Sequence, residues 1–415
     1  MEDRFDGIKK SVRQKVMGCI DYSKDISDEE MYELVDKELS ERLRHVAISV
    51  EDRKRLRMQI FHSIRKLDIL QQLVDDPTVT EIMVNGTDNI FVEKNGSLFK
   101  FDGRFESSDK LEDVVQQIVA SCNRVVNQSQ PIVDARLENG SRVNIVLGPV
   151  ALNGPIITIR RFPDKPIDMA RLIELGSLSP FLRDYLKILI KAGYNVFISG
   201  GTGSGKTTFL NALSDFIPKD LRVLTVEDSA ELQIIGVPNL VRLESRNANV
   251  EGCKPITIRD LIKSSLRMRP DWIIVGEVRG GECVDMLQAM NTGHMAMSTG
   301  HSNSASDMLY RLETMSLMGM GELPLSAVRG QISAGIDIIV HLGRLRDKSR
   351  KVLEISEVEK ELDENGRIVL NPLFRFCECA ESTDIKIKGD WRKTGELKNT
   401  EKLEAAGLRL PSSEG

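Results

Sequence analysis

Asn195 to Leu213 reads NVFISGGTGSGKTTFLNAL. An apolar run, Val196 to Ile198, breaks into a glycine-rich turn and then into a helix-forming segment, the strand, loop and helix context that a phosphate-binding loop requires. The spacing is complete: Gly200, four residues, then Gly205, Lys206 and Thr207. The candidate nucleotide-binding set is therefore Gly200, Gly201, Thr202, Gly203, Ser204, Gly205, Lys206, Thr207 and Thr208. Glycines let backbone N–H groups converge on an anion, and the helix starting near Lys206 adds its positive dipole end. Lys206 can reach the β- and γ-phosphates and Thr207 can ligate Mg²⁺, so the implied ligands are ATP and Mg²⁺. A Gly/Ser loop that merely closed a hairpin would have no use for Lys-Thr-Thr at a helix start.

Outward from this loop, apolar strands alternate with helices as a mostly parallel sheet demands. The strands read NVFIS, LRVLTV, WIIVGEV and MAMST; the helices run about 180–192, 206–216, 258–268, 282–290 and 304–315. Short strands with a turn at Asn365-Gly366 are expected beyond Ile338, then a weakly patterned tail. On the N-terminal side, 163–179 carries Pro166 and Gly176 and reads as a linker. Before it, EIMVNG, a hairpin around Asn95-Gly96, a helix over about 108–122, a hairpin around Asn139-Gly140 and the strand PIITIRRF (155–162) make an α+β domain. The first 66 residues read as a charged helical arm, with a capping box at Ser27 and Glu30 and a second helix from Ser49. The expected division is 1–66 arm, 67–162 α+β domain, 163–179 linker, 180–376 α/β phosphate-loop domain and 377–415 tail.

Composition narrows the function classes. With 57 basic against 62 acidic residues and a net charge of −5, the chain lacks the cationic excess of a protein built to neutralise nucleic-acid phosphates. The basic segment Arg53, Lys54, Arg55, Arg57, Arg65 and Lys66 reads foremost as a solvated helix face, with an acidic partner or lipid head groups as the other reading. No apolar run approaches the roughly 18 residues that cross a bilayer, and MEDRFDGIKK does not read as a signal peptide. The cysteines at 19, 122, 253, 283, 377 and 379 are scattered, as free thiols in a reducing cytoplasm would be.

Hydrolysis needs a positioned water, a metal and a cation for the transition state. Loops after parallel strands share one edge, so acids at the ends of LRVLTV and WIIVG should lie near the phosphates. These are Glu227, Asp228 and Glu231 in VEDSAEL, and Glu277 in RMRPDWIIVGEVRGGE. Glu277 is the candidate to orient the water. The residue before it, usually Asp, is Gly276, so Thr207 and waters held by Glu231 or Glu227 must serve the metal. His301, in TGHMAMSTGHSNS, suits a γ-phosphate or carboxylate sensor, and His294 a structural role; the alternative, two metal ligands, wants a third that the sequence does not offer. Arg136, Arg142, Arg160 and Arg161 lie in the α+β domain, where Arg142 and Arg160 could serve as arginine fingers or simply as exposed strand residues.

The four motifs GGTGSGKTT, VEDSAELQ, RMRPDWIIVGEVRGGE and TGHMAMSTGHSNS resemble the Walker A, aspartate, atypical Walker B and histidine boxes of the type II/IV secretion ATPase superfamily, over about residues 65–375. DARLENGSRVN, GPIITIRRF and TIRDLIKSSLRMRPD are most similar to the Flp/Tad (tight adherence) pilus-assembly branch, a relative of the conjugation ATPases. The resemblance implies a RecA-like ATPase domain after a PAS-like domain. It implies a homo-hexamer peripheral to the cytoplasmic face of the inner membrane, binding ATP between its two domains. Domain rotation would drive pilin polymerisation through a membrane platform protein. By motif match Lys206 and Thr207 take phosphates and Mg²⁺, Glu277 is the catalytic acid, Glu231 or Glu227 assists the metal, and His301 belongs to the histidine box. A Gly-Glu Walker B also fits the family. The alternatives are a conjugative type IV secretion motor and an ATP-binding scaffold with little turnover.

Overall fold

The computed structural model describes residues 5–21, 26–94, 96–122, 124–161, 166–246, 254–320 and 323–412. Asn95, Phe162, Cys253 and the start of the expected linker, 163–165, lie outside them. The chain divides into two compact units, Met1–Asp164 and Lys165–Gly415.

The first unit begins with α1 (Asp6–Cys19), α2 (Asp28–Arg42) and α3 (Val50–Arg65). Ser27 and Glu30 form the expected capping box and Ser49 caps α3. The apolar stripes of these helices meet in one small core of Val12, Val16, Met31, Val35, Leu39, Leu56, Ile60 and Phe61. Most of the basic segment of α3 is engaged within the arm: Arg53 donates to Ser40 Oγ at 2.6 Å, and Arg57 pairs with Asp36 at 2.9 Å while lying over Tyr32. That is the solvated, locally paired helix face.

After α4 (Gln71–Asp75) come β1 (Val79–Asn85), β2 (Asn89–Lys94), β3 (Ser97–Phe101), α5 (Ser108–Ser121), β4 (Ile132–Arg136), β5 (Arg142–Val146) and β6 (Ile156–Arg160). The sheet order is β3-β2-β1-β6-β5-β4, antiparallel throughout. Gly96 (φ 75°) and Gly140 (φ 85°) supply the left-handed turns of the two hairpins, which is why a glycine follows an asparagine at each. Alternate residues Ile82, Ile90, Val143, Ile157 and Ile159 are buried together with Leu111, Val115 and Ile118 of α5.

The second unit contains α6 (Met169–Glu174), α7 (Pro180–Lys191), β7 (Val196–Gly200), α8 (Lys206–Ser214), β8 (Val223–Glu227), β9 (Leu240–Glu244), α9 (Ile258–Ser265), β10 (Trp272–Val275), α10 (Glu282–Asn291), β11 (Met295–His301), α11 (Ala305–Gly319), α12 (Leu325–Gly335), β12 (Ile338–Arg344), β13 (Arg350–Leu362), β14 (Ile368–Glu378), β15 (Gly389–Lys393) and α13 (Glu401–Ala406). They build a nine-stranded sheet ordered β15-β14-β13-β12-β7-β11-β10-β8-β9. From β12 to β9 the neighbours run parallel; β13, β14 and β15 extend the sheet antiparallel. The central strands are buried on both faces, so they read as continuous apolar runs rather than alternating ones.

Three stretches differ from expectation. The segment expected as a linker contains α6, capped by Asp168, and its Met169, Leu172 and Leu178 are buried in the same core as α7. The strands beyond Ile338 are long: β13 has 13 residues and β14 has 11. The tail is not loose: β15 pairs with β14, and Leu397 and Leu403 are buried in the phosphate-loop core, with Leu408 and Leu410 packed against it. Its apolar residues are widely spaced because only a few of them touch the core, and such spacing leaves no periodic signal.

Candidate functional site

The phosphate loop is held open by backbone geometry that only glycine adopts cheaply. Gly203 (φ 70°) and Gly205 (φ 91°) are left-handed, and a Cβ on Gly200 would lie 2.4 Å from the carbonyl oxygen of Leu342. Ser204 Oγ is buried and has no hydrogen-bond partner among the described residues, an orphan that a phosphate oxygen would satisfy. Lys206 is buried, and its Nζ donates to the carbonyls of Gly200 and Gly201 at 3.1 Å. These carbonyls are weak partners for an ammonium, and a triphosphate is the stronger one. Thr207 and Thr208 stand half-buried on the first turn of α8.

The parallel sheet brings the predicted acids to this edge, as the strand ends require. Lys206 Nζ lies 3.2 Å from His301 Nδ1, and His301 Nε2 lies 2.9 Å from Glu277 Oε1. An ammonium can only donate, so Nδ1 must accept and Nε2 carries the proton; Nε2 is close to Glu277 Oε1, which has no aligned hydrogen-bond donor among the described residues. Burial, and then Lys206, lower the His301 pKa and keep the ring neutral. His301 thus stands between the loop lysine and Glu277. The other oxygen of Glu277 accepts from Arg279 Nε at 3.0 Å and Nη2 at 2.7 Å, and Arg279 Nη1 lies 3.7 Å from Asp228. Arg279 follows Glu277 by two residues and was visible in the sequence, but nothing there showed that it turns back.

Glu227 explains Gly276. Its carboxyl is buried; Oε2 accepts from the amides of Glu231 (2.7 Å) and Leu232 (2.9 Å), while Oε1 has no hydrogen-bond partner among the described residues. A Cβ on Gly276 would lie 3.1 Å from Glu227 Cγ and 3.5 Å from Oε2. The space beside β10 is taken up by a carboxyl from the neighbouring strand β8, so a side chain at 276 would crowd Glu227. Burial pushes the Glu227 pKa up to about 7. Glu231 donates its backbone amide to Glu227.

His294 and His301 sit at opposite ends of β11, which at about 3.3 Å per residue puts them some 20 Å apart. They share no metal, and no group of three His, Cys, Asp or Glu among the described residues could hold one. His294 Nδ1 lies 3.3 Å from the carbonyl of Ala289 and 3.2 Å from Thr292 Oγ1, a structural role. Arg142 and Arg160 belong to the other unit. There Arg136, Arg142, Arg160 and Glu81 lie in lateral register on four successive strands, with Arg142 3.8 Å from Asp134.

Residues the sequence did not single out also line the site. A cavity of about 460 Å³ beside Gly201 and Thr202 is bounded by His301, Asp307, Tyr310 and Arg311. Buried His341 meets Ser199 Oγ at 2.9 Å beneath the loop. A histidine within an apolar strand gives no warning of this in one dimension.

A glycine-lined anion loop with its lysine, an adjacent histidine and a carboxylate at the edge of a parallel sheet defines a P-loop nucleotide-binding protein of the α/β class. The chain belongs to the Type II/IV secretion system protein family, whose model matches residues 64–404. In that broad sense it is a secretion-family ATPase. It is 34% identical over 295 residues to the putative conjugal transfer protein Rv3659c of Mycobacterium tuberculosis, covering 69% of this chain and 83% of that one. It is 34% identical over 308 residues to the probable conjugal transfer protein TrbB of Sinorhizobium fredii, covering 72% and 90%. The crystal structure of the pilus retraction motor PilT with bound ADP matches with a TM-score of 0.50 at 20% identity, covering 66% of this chain and 77% of that one, a likeness of fold alone. No helix among the described residues is long and apolar enough to cross a membrane.

Proposed function

We propose that the chain is a mechanochemical ATPase of the Flp/Tad pilus-assembly kind. It works as a homo-hexamer peripheral to the cytoplasmic face of the inner membrane, on a platform protein and a pilin-assembly machinery, with the six-stranded unit serving as its PAS-like domain. The observation that carries the reading is the close succession of Lys206, His301 and Glu277, with contacts of 3.2 and 2.9 Å. A protein that only held nucleotide would need the lysine but not a carboxylate set across a neutral imidazole from it. Glu277 orients the attacking water, His301 reports the γ-phosphate to it, and Arg279 fixes its other oxygen. Thr207, with Glu227 or Glu231 through water, would hold Mg²⁺, which supplies charge neutralisation on the phosphates. Arg142 and Arg160 act as the cations that complete the transition state. The test is hydrolysis per subunit against protein concentration. Activity that climbs as rings form, and drops about a thousandfold in Arg142→Ala/Arg160→Ala, supports the reading; a monomer turning over at the full rate contradicts it.

A second reading, a conjugative motor, is favoured by the names of the two relatives, both conjugal transfer proteins. Stimulation by platform protein supports the first reading. Stimulation by DNA that falls steeply with salt supports the second, against which the net charge of −5 weighs.

A further inference from the structure

Lys206, His301 and Glu277 serve one end of a bound triphosphate, the end where the bond breaks. The other side of the phosphate loop is faced by a different part of the same unit. β12 runs beside β7 on the flank away from β11, so the turn leading from β12 to β13 leaves the loop's edge of the sheet on the side opposite His301. Arg344, the last residue of β12, pairs in register with Arg350, the first of β13.

Both side chains reach the loop. Arg350 Nε donates to the Gly203 carbonyl at 2.8 Å, and its Cδ lies 3.3 Å from where a Cβ on Gly205 would stand. An Nη of Arg344 lies 3.9 Å from the corresponding point on Gly203. Gly205 therefore also keeps clear the space beside Arg350. Both arginines are exposed, and the side chain of Arg344, unlike its backbone, has no hydrogen-bond or ion-pair partner among the described residues. Arg346, two residues on, is by contrast paired with Glu378 and Asp384. A guanidinium fork matches phosphate oxygens.

We propose that Arg344 and Arg350 bind the α-phosphate end of the nucleotide within their own subunit. Arg344 contacts the phosphate through its fork, and Arg350 adds charge while pinning the loop at Gly203. The proposal rests on reading the loop as an ATP site. It assigns the arginines to the α-phosphate because a loop lysine takes the β- and γ-phosphates while the loop's backbone amides, beside which both arginines lie at Gly203 and Gly205, cradle the α- and β-phosphates. ATP and ADP both carry that group, so both lose affinity alike when the contact is removed.

The test is equilibrium binding of ATP and of ADP to the full-length chain. Arg344→Ala, folded by thermal melting, is expected to weaken both nucleotides by about tenfold or more, as a charge-assisted hydrogen bond predicts. Arg344→Lys restores part of the loss, because charge returns without the fork. Since Arg344 pins no part of the loop, its variant decides the matter where Arg350→Ala could act by loosening Gly203. Unchanged ADP affinity in Arg344→Ala overturns the proposal, and so does a loss for ATP alone, which would place the contact at the γ end. Wild-type protein that binds neither nucleotide, or Lys206→Ala that binds both normally, overturns instead the reading of the loop on which the proposal stands.

Discussion

Restoring the acid that Walker B motifs usually carry should damage this protein. In Gly276→Asp the new Cβ comes within 3.1 Å of Glu227 Cγ, and Glu227 cannot swing aside because two backbone amides hold its Oε2 at 2.7 and 2.9 Å. Overpacking of a fixed neighbour costs about 1–3 kcal/mol, which for a domain of this size lowers the melting temperature by about 2–12 °C. The aspartate also brings a second carboxyl beside one already raised to about 7 by burial, so the pair cannot both ionise without further cost. The loss should therefore be larger at pH 8 than at pH 6. Melting curves at the two pH values measure this, and the double variant Glu227→Ala/Gly276→Asp isolates the cause. Removing the Glu227 side chain frees the space, so the pair should be non-additive by about 0.5–3 kcal/mol in the direction of rescue. A stable Gly276→Asp, or one that Glu227→Ala fails to rescue, refutes the argument that Glu227 stands in for the missing acid.

Other outcomes follow from the same geometry. The Glu227 carboxyl titrates higher in the folded chain than in the unfolded one, so its neutral form adds stability at low pH that is lost as pH rises toward 7 and above. Glu227→Gln should thus gain on wild type between pH 5 and 8, by about 3 kcal/mol at the upper end, read from melting temperature against pH. Burial and Lys206 hold His301 neutral, and protonating it sets a second cation beside the lysine and removes the Nδ1 acceptor. The acid side of the kcat/KM profile should carry this titration, and His301→Gln should flatten it at a lower plateau.

Much of this was legible in the chain because its signals are local. The spacing of Gly200, Gly205 and Lys206 fixes loop and helix, and Ser27 with Glu30 fixes a helix start. The apolar runs at 196–198 and 272–275 can only be buried strands, and acids at strand ends then fall near the loop, as Glu277 does. What stayed hidden depends on neighbours across the sheet. Glu227 meets Gly276 because β8 lies beside β10, and Arg350 meets Gly203 across 147 residues. α6 was masked by the flanking Pro166 and Gly176, and β15 and α13 by the few residues through which they touch the core. The raised pKa of Glu227 belongs to its burial, a property of the packed state alone.

The most direct test of the account is ATP turnover by Glu277→Gln beside ATP binding by the same protein. Glutamine keeps the size of the side chain and its contact with His301 but cannot act as the base. The account predicts binding near wild type with hydrolysis reduced by about 10²- to 10⁴-fold. Hydrolysis at the wild-type rate in that variant would contradict it.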